Sequence, residues 1–137
     1  MSPFEEVPHT ADWALHAWAP DLPTLFVDAA KGMYALAGAE GLQSDPSSWD
    51  SRSVEPQAED FEALLVGWLQ ELLYYTESEG WVFFDFRIDQ LEPTRLAGRA
   101  RGAPATRLEK PIKAVTYNDL DVRKTPNGYE ATIVFDV

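Results

Sequence analysis

The chain contains no cysteine. That excludes disulfides, thiolate nucleophiles and cysteine-ligated zinc or iron–sulfur centres. Histidine is scarce as well: His9 and His16 are the only two, too few for a multi-histidine metal centre. Basic residues number 11 against 23 acidic ones, a formal net charge of −12. Nine of the 11 bases fall between Arg87 and Lys124, but acids are interleaved with them and no aromatic–basic pattern of an RNA-binding module is present. Such a chain repels a phosphate backbone, so direct nucleic-acid binding is disfavoured. No run reaches the roughly 18 apolar residues of a membrane span, and the first residues lack the basic and apolar regions of a secretory signal. No membrane association and a soluble, cytoplasmic location are expected.

What remains is the material of a folded protein. At 137 residues, 45% hydrophobic and with five tryptophans, the chain is expected to form a single domain over residues 1–137 with a real core. Phe4–Val7 reads as a short strand ending at Pro8. Trp13–Ala19 alternates, with Trp13, Leu15 and Ala17 on one face and Ala14, His16 and Trp18 on the other, which predicts a strand closed by Pro20. A helix follows, capped by Asp21 or Thr24, with Pro23 in its first turn and Gly38 as its stop. Residues 39–50 are polar and broken by Pro46, and read as a loop. Arg52–Gln57 reads as an edge strand because of Pro56.

The strongest periodic signal comes next. Phe61, Leu64, Leu65, Trp68, Leu69, Leu72 and Leu73 keep helical spacing without a miss, with Asp60 as N-cap and Gly80 past the end. This helix is core, and Trp68 is assigned to packing. Trp81–Ile88 reads as a buried strand with Arg95–Arg101 beside it. Residues 114–124 and 129–136 frame Thr125-Pro126-Asn127-Gly128 as a C-terminal hairpin turn. The sum is an α+β fold: a mostly antiparallel or mixed sheet of about five to seven strands carrying two α-helices on one face.

Two polar clusters sit at the chain's ends: His9-Thr10-Ala11-Asp12 and Phe135-Asp136-Val137. If folding brings Asp12 to the last strand, its carboxylate, that of Asp136 and the terminal oxygens of Val137 make three hard donors. That is the chemistry of a Ca²⁺, Mg²⁺ or Mn²⁺ site. From spacing alone, a charged chain end in water is the simpler account.

Three segments in this order resemble one family. His9-Thr10-Ala11-Asp12 precedes an alternating strand. The helix from Phe61 to Leu73 runs into Glu79-Gly80-Trp81-Val82-Phe83-Phe84-Asp85-Phe86. Ile112-Lys113-Ala114-Val115-Thr116-Tyr117 is followed by the hairpin and the closing Phe135-Asp136-Val137. Together they resemble archease, the small partner of RtcB-type RNA-splicing ligases. The resemblance implies a non-enzymatic accessory role. Such a protein promotes guanylylation of the ligase's active-site histidine and its multiple turnover in tRNA splicing and RNA repair, and meets RNA only through the ligase. It also implies a divalent metal held by Asp12, Asp136 and Val137, with Lys113 meeting phosphate or an acidic ligase residue. Thr10 is expected to hydrogen-bond the ligating carboxylates. For His9 two roles stay open, such a hydrogen bond or a purely structural one, and the second is preferred because hard cations rarely choose imidazole. The chain departs from many relatives at Asn118 and around Thr106-Arg107, where they carry histidine.

Two other classes compete. A free-standing metal hydrolase lacks a visible nucleophile–base pair. A chaperone-like interaction module would use exposed aromatics such as Trp18 or Trp49 as its contact surface.

Overall fold

The computed structural model describes residues 3–7, 13–41, 45–109, 111–117 and 120–137. Strands β1 (Phe4–Val7) and β2 (Trp13–Ala19) form an antiparallel pair, and helix α1 (Leu22–Leu36) follows. Asp21, not Thr24, is the N-cap: its carboxylate accepts the Thr24 amide at 2.8 Å. At the other end Gly38 takes a φ of 64°, the left-handed turn that stops a helix without a Cβ penalty.

The stretch read as a loop holds a short strand, β3 (Ala39–Gly41), and a single 3₁₀ turn over Pro46–Ser48. β3 has no alternating pattern of its own; it exists because its backbone pairs with the far end of β6. β4 (Asp50–Val54) is the predicted edge strand, shifted toward the N-terminus. Helix α2 (Phe61–Glu79) is capped by Asp60 and ends at Gly80, with φ 72°. Every Leu of its periodic stripe is buried, as is Trp68, whose indole N–H donates to the Phe26 carbonyl at 2.9 Å. The aromatic packing role predicted for Trp68 holds.

β5 (Trp81–Glu92) and β6 (Arg95–Leu108) form one long hairpin, each running past its predicted end. The segment expected as one strand over residues 114–124 is two: β7 (Ala114–Thr116) and β8 (Arg123–Thr125), both paired with β9 (Gly128–Asp136). The reason is a mismatch of length. Thr116 pairs with Val134 and Arg123 with Glu130, so six residues of sequence on one side answer three on the other.

The strands make two sheets, not one, and nine strands among the described residues. The first has the order β1-β2-β9-β7, with β8 also on β9; in the second, β6 pairs with β3, β4 and β5. All of the pairings are antiparallel. Both helices pack against strands of both sheets. The buried residues of all these layers form one contiguous cluster, from Leu15 and Phe135 on the first sheet to Phe83 and Leu96 on the second. The fold is α+β, as predicted.

Candidate metal and partner site at the end of the first sheet

The last residues of β9 lie between the first residues of two other strands. On one side Trp13 faces Phe135 and Ala14 faces Val134. On the other, Ala114 faces Asp136, Val115 faces Phe135 and Thr116 faces Val134. One more bond closes the corner: the Lys113 amide donates to the Asp136 carbonyl at 2.7 Å. The start of β2, the end of β9 and the start of β7 therefore meet at one corner of the sheet.

Alternation sorts the side chains there. Phe135 points to the core and is fully buried, which fixes the strand end. Asp136 shares the opposite face with Val134 and its cross-strand partners Ala14 and Thr116. Ala14 and Val134 are themselves buried. The Asp136 side chain is exposed, and among the described residues it makes no hydrogen bond or ion pair. Val137 is half-buried and packs its side chain against the core, which leaves its backbone oxygens for other work.

Lys113 is exposed and makes no ion pair among the described residues. Its segment is positioned by helix α2. The Gln70 side-chain carbonyl accepts the Val115 amide at 2.9 Å, and the Glu62 carboxylate accepts the Val122 amide at 2.8 Å. Residues 112–117 and 120–122 thus form a strap on α2, tied to it through Val115 and Val122. Sequence reasoning missed Gln70 and Glu62. Both sit on the polar side of an amphipathic helix, where most such residues only face water, so no signal marks them.

Asp12, His9, Thr10 and Asn118 lie outside the described residues. Among the described residues no group of three His, Asp or Glu side chains is placed to hold a metal ion. Asp136 and the backbone oxygens of Val137 are hard donors of the type that Ca²⁺, Mg²⁺ and Mn²⁺ take, and a further carboxylate is needed to complete a site. Arg107 pairs with Glu109 at 2.7 Å.

Elsewhere, His16 is an outward strand residue, as predicted. It lies 3.3 Å from the Glu130 carboxylate and 3.8 Å from that of Glu5. The expected exposed tryptophans are not exposed. Trp18 and Trp49 are half-buried, Trp18 against the His16 ring and Trp49 against Phe84 and beneath the Arg101 guanidinium. Among the described residues, the large apolar side chains that do face water are Tyr74 and Tyr117. No helix among the described residues is long and apolar enough to cross a membrane.

Fold and corner together define a small α+β protein that brings the beginnings and ends of distant strands to one polar junction. The model of the Archease protein family (MTH1598/TM1083) matches residues 4–137, and the chain belongs to that family. Protein archease of Methanosarcina barkeri is 32% identical over 143 residues, covering 98% of this chain and 95% of the relative. Protein archease of Methanopyrus kandleri is also 32% identical, with 98% and 99% covered. The solution structure of protein 1598 from Methanobacterium thermoautotrophicum aligns over 100% of both chains with a TM-score of 0.67 at 26% identity. A crystal structure from Thermotoga maritima, described as an archease and possible chaperone, shares the fold with a TM-score of 0.66 at 21% identity, over 97% of this chain and 96% of that one.

Proposed function

We propose that the protein is an accessory factor of an RtcB-type RNA ligase, promoting guanylylation of the ligase and its multiple turnover. The observation that carries this reading is the corner itself, in a chain of the archease family. It sets the Asp136 carboxylate beside the backbone of Lys113, and neither side chain has an ion-pair partner among the described residues.

Asp12 and Asp136 are the sequence neighbours of Trp13 and Phe135, which face each other across β2 and β9. Carboxylates brought to one cation site crowd like charges together. Like charges so placed repel, and a divalent ion would relieve that. Asp12, Asp136 and a Val137 oxygen are the residues that would hold it, and Lys113 would stand beside them. When bound, such an ion would supply positive charge to offset the phosphates of a nucleotide. The chain's own part is to hold the Asp136 carboxylate fixed at the end of β9 and to present the Lys113 ammonium to phosphate or to an acidic ligase residue.

The test is formation of the ligase–guanylate adduct from GTP under multiple-turnover conditions, with the chain present and absent. Stimulation is expected from the wild type and a clear loss from Asp12→Ala and from Lys113→Ala. A ligase that turns over equally well without the chain rejects the reading. A second reading, a chaperone-like module, draws on the exposed Tyr74 and Tyr117; suppression of aggregation of unrelated unfolded proteins with no effect on the ligase would favour it. Nucleotide hydrolysis by the chain alone would favour the metal hydrolase instead.

A further inference from the structure

Beside Lys113 the surface opens into a pocket of about 210 Å³. Its floor is built from the buried ends of the two helices. Met33, Tyr34 and Ala37 come from the α1 end, and Leu73 and Thr76 come from α2. The strap residues Ile112 and Lys113 close one side, with Leu108 next to them. The floor has no unmet polar group: the Tyr34 hydroxyl is 2.7 Å from Thr76 Oγ1 and donates to the Leu72 carbonyl at 3.2 Å. The interior therefore offers apolar contact only. The rim carries two opposite charges that do not pair with each other, Lys113 and Glu77.

Size decides what fits. Pockets for drug-sized ligands or cofactors run to roughly 300–1,000 Å³, and this one is smaller, of a scale for one large side chain. The surroundings have the composition of a protein contact. The two exposed large apolar side chains of the described chain lie on the elements that border the pocket: Tyr74 on α2, beside Leu73, and Tyr117 on the strap. Tyrosine is enriched at protein interfaces relative to the rest of the surface.

We infer that this pocket is the socket for one leucine-sized or aromatic side chain of the RtcB-type ligase, presented next to a carboxylate that meets Lys113. The inference rests on the accessory reading above and adds to it a docking point. The charge pattern favours such a partner: Lys113 lacks an ion pair within the described chain, so a carboxylate on the incoming segment completes it without displacing an existing partner. The backbone of Lys113 is bonded to Asp136, so an anchor seated here holds the partner against the polar corner.

Two variants test this with the whole chain and a purified RtcB-type ligase. Leu108→Trp fills the pocket, and Ile112→Ala removes one wall without filling it. Folding is checked by circular dichroism and melting, and affinity by isothermal titration calorimetry. Both variants are expected to bind the ligase about tenfold or more weakly, as for loss of an anchor contact. At saturating concentration they should still give full stimulation of guanylylation, because Asp136 and Lys113 are untouched. Wild-type affinity in both folded variants overturns the socket and leaves the accessory reading standing. No binding or stimulation by the wild type overturns both. A wild-type chain that is dimeric alone and becomes monomeric with Leu108→Trp assigns the pocket to a second copy, which also overturns the inference.

Discussion

The amide of Lys113 donates to the carbonyl of Asp136 at 2.7 Å, so the two residues that the family resemblance singles out near the C-terminus share one backbone bond. Neither side chain takes part in it. Whatever Asp136 binds and whatever Lys113 touches are therefore held in a fixed relation by the ladder between β7 and β9. A shift of the strap moves both.

Metal binding should be visible as stability. Protein stripped with a chelator and then given Ca²⁺, Mg²⁺ or Mn²⁺ at about 100 times Kd should gain about 2.7 kcal/mol, roughly 10 °C in Tm for a chain of this size. Asp12→Asn and Asp136→Asn should abolish the gain. Without metal, each variant should melt no lower than the wild type, because removing one of two carboxylates that share a site relieves repulsion. A metal-induced shift of wild-type size in both variants would move the site elsewhere.

Gln70 gives a test of the strap. Val115 is buried, and Gln70 is the acceptor of its amide. Gln70→Ala leaves that amide without a partner and should cost about 1–3 kcal/mol. Hydrogen exchange at Val115 should speed up while exchange in the middle of α2 changes little. Ligase stimulation should fall although Gln70 is remote from the proposed metal ligands, and Gln70→Glu, which keeps an acceptor oxygen, should restore part of the protection.

These ties explain what the sequence shows and what it hides. β2 and α2 are legible because each carries its own signal: alternation for β2, and an unbroken apolar stripe with an Asp cap for α2. β3 has three residues and no pattern. The end of β6, Gly102-Ala103-Pro104-Ala105, has low strand propensity throughout. Pairing with β5 and β3 makes both into strands, so tertiary context overrides local preference. The division into two sheets is equally hidden, because helices that face two sheets show the same stripes as helices that face one. At the corner, Asp136 stands out as a hard donor beside the terminal oxygens, and Lys113 only through the family resemblance. Gln70 and Glu62 do not stand out at all, since an acceptor aimed at a distant backbone looks like any polar helix residue.

Gly102 should resist substitution by even one carbon. A Cβ there would sit 1.9 Å from the Val82 carbonyl oxygen and 2.7 Å from the Phe83 Cα, both main-chain atoms that cannot rotate away. Gly102→Ala should destabilise by about 1–3 kcal/mol through forced separation of β5 and β6. Gly80 is the control: its φ is 72° but nothing lies within 4 Å of the added carbon. Gly80→Ala should cost about 1–2 kcal/mol from backbone strain alone. Urea denaturation separates the two cases if the Gly102 variant also loosens amide protection along β5 and the Gly80 variant does not.

Stability should respond to pH in opposite directions at Asp21 and Glu71. The Thr24 hydrogen bond lowers the Asp21 carboxyl below its ordinary value. Its folded pKa is therefore below its unfolded one, and its contribution is present above the ordinary carboxylate range and lost as pH falls through the folded value. Glu71 does the reverse. It is half-buried, one carboxylate oxygen is shut off from water, and among the described residues that oxygen has no hydrogen-bond partner. Burial, and then the nearby Glu55 charge, raise its carboxyl above the ordinary value. Between the unfolded and folded values the native state binds more protons than the unfolded state, so stability falls as pH rises through that window. Above it the penalty is constant; below it Glu71 is neutral in both states and costs nothing by charge. Glu71→Gln removes the charge and keeps the shape. The variant should melt a few degrees above the wild type at pH 7, on the order of 1 kcal/mol or less for a half-buried group. The difference should shrink steadily toward pH 4 and close there. A difference in Tm that stays the same from pH 4 to pH 8 would show that the gain comes from packing and not from the Glu71 charge.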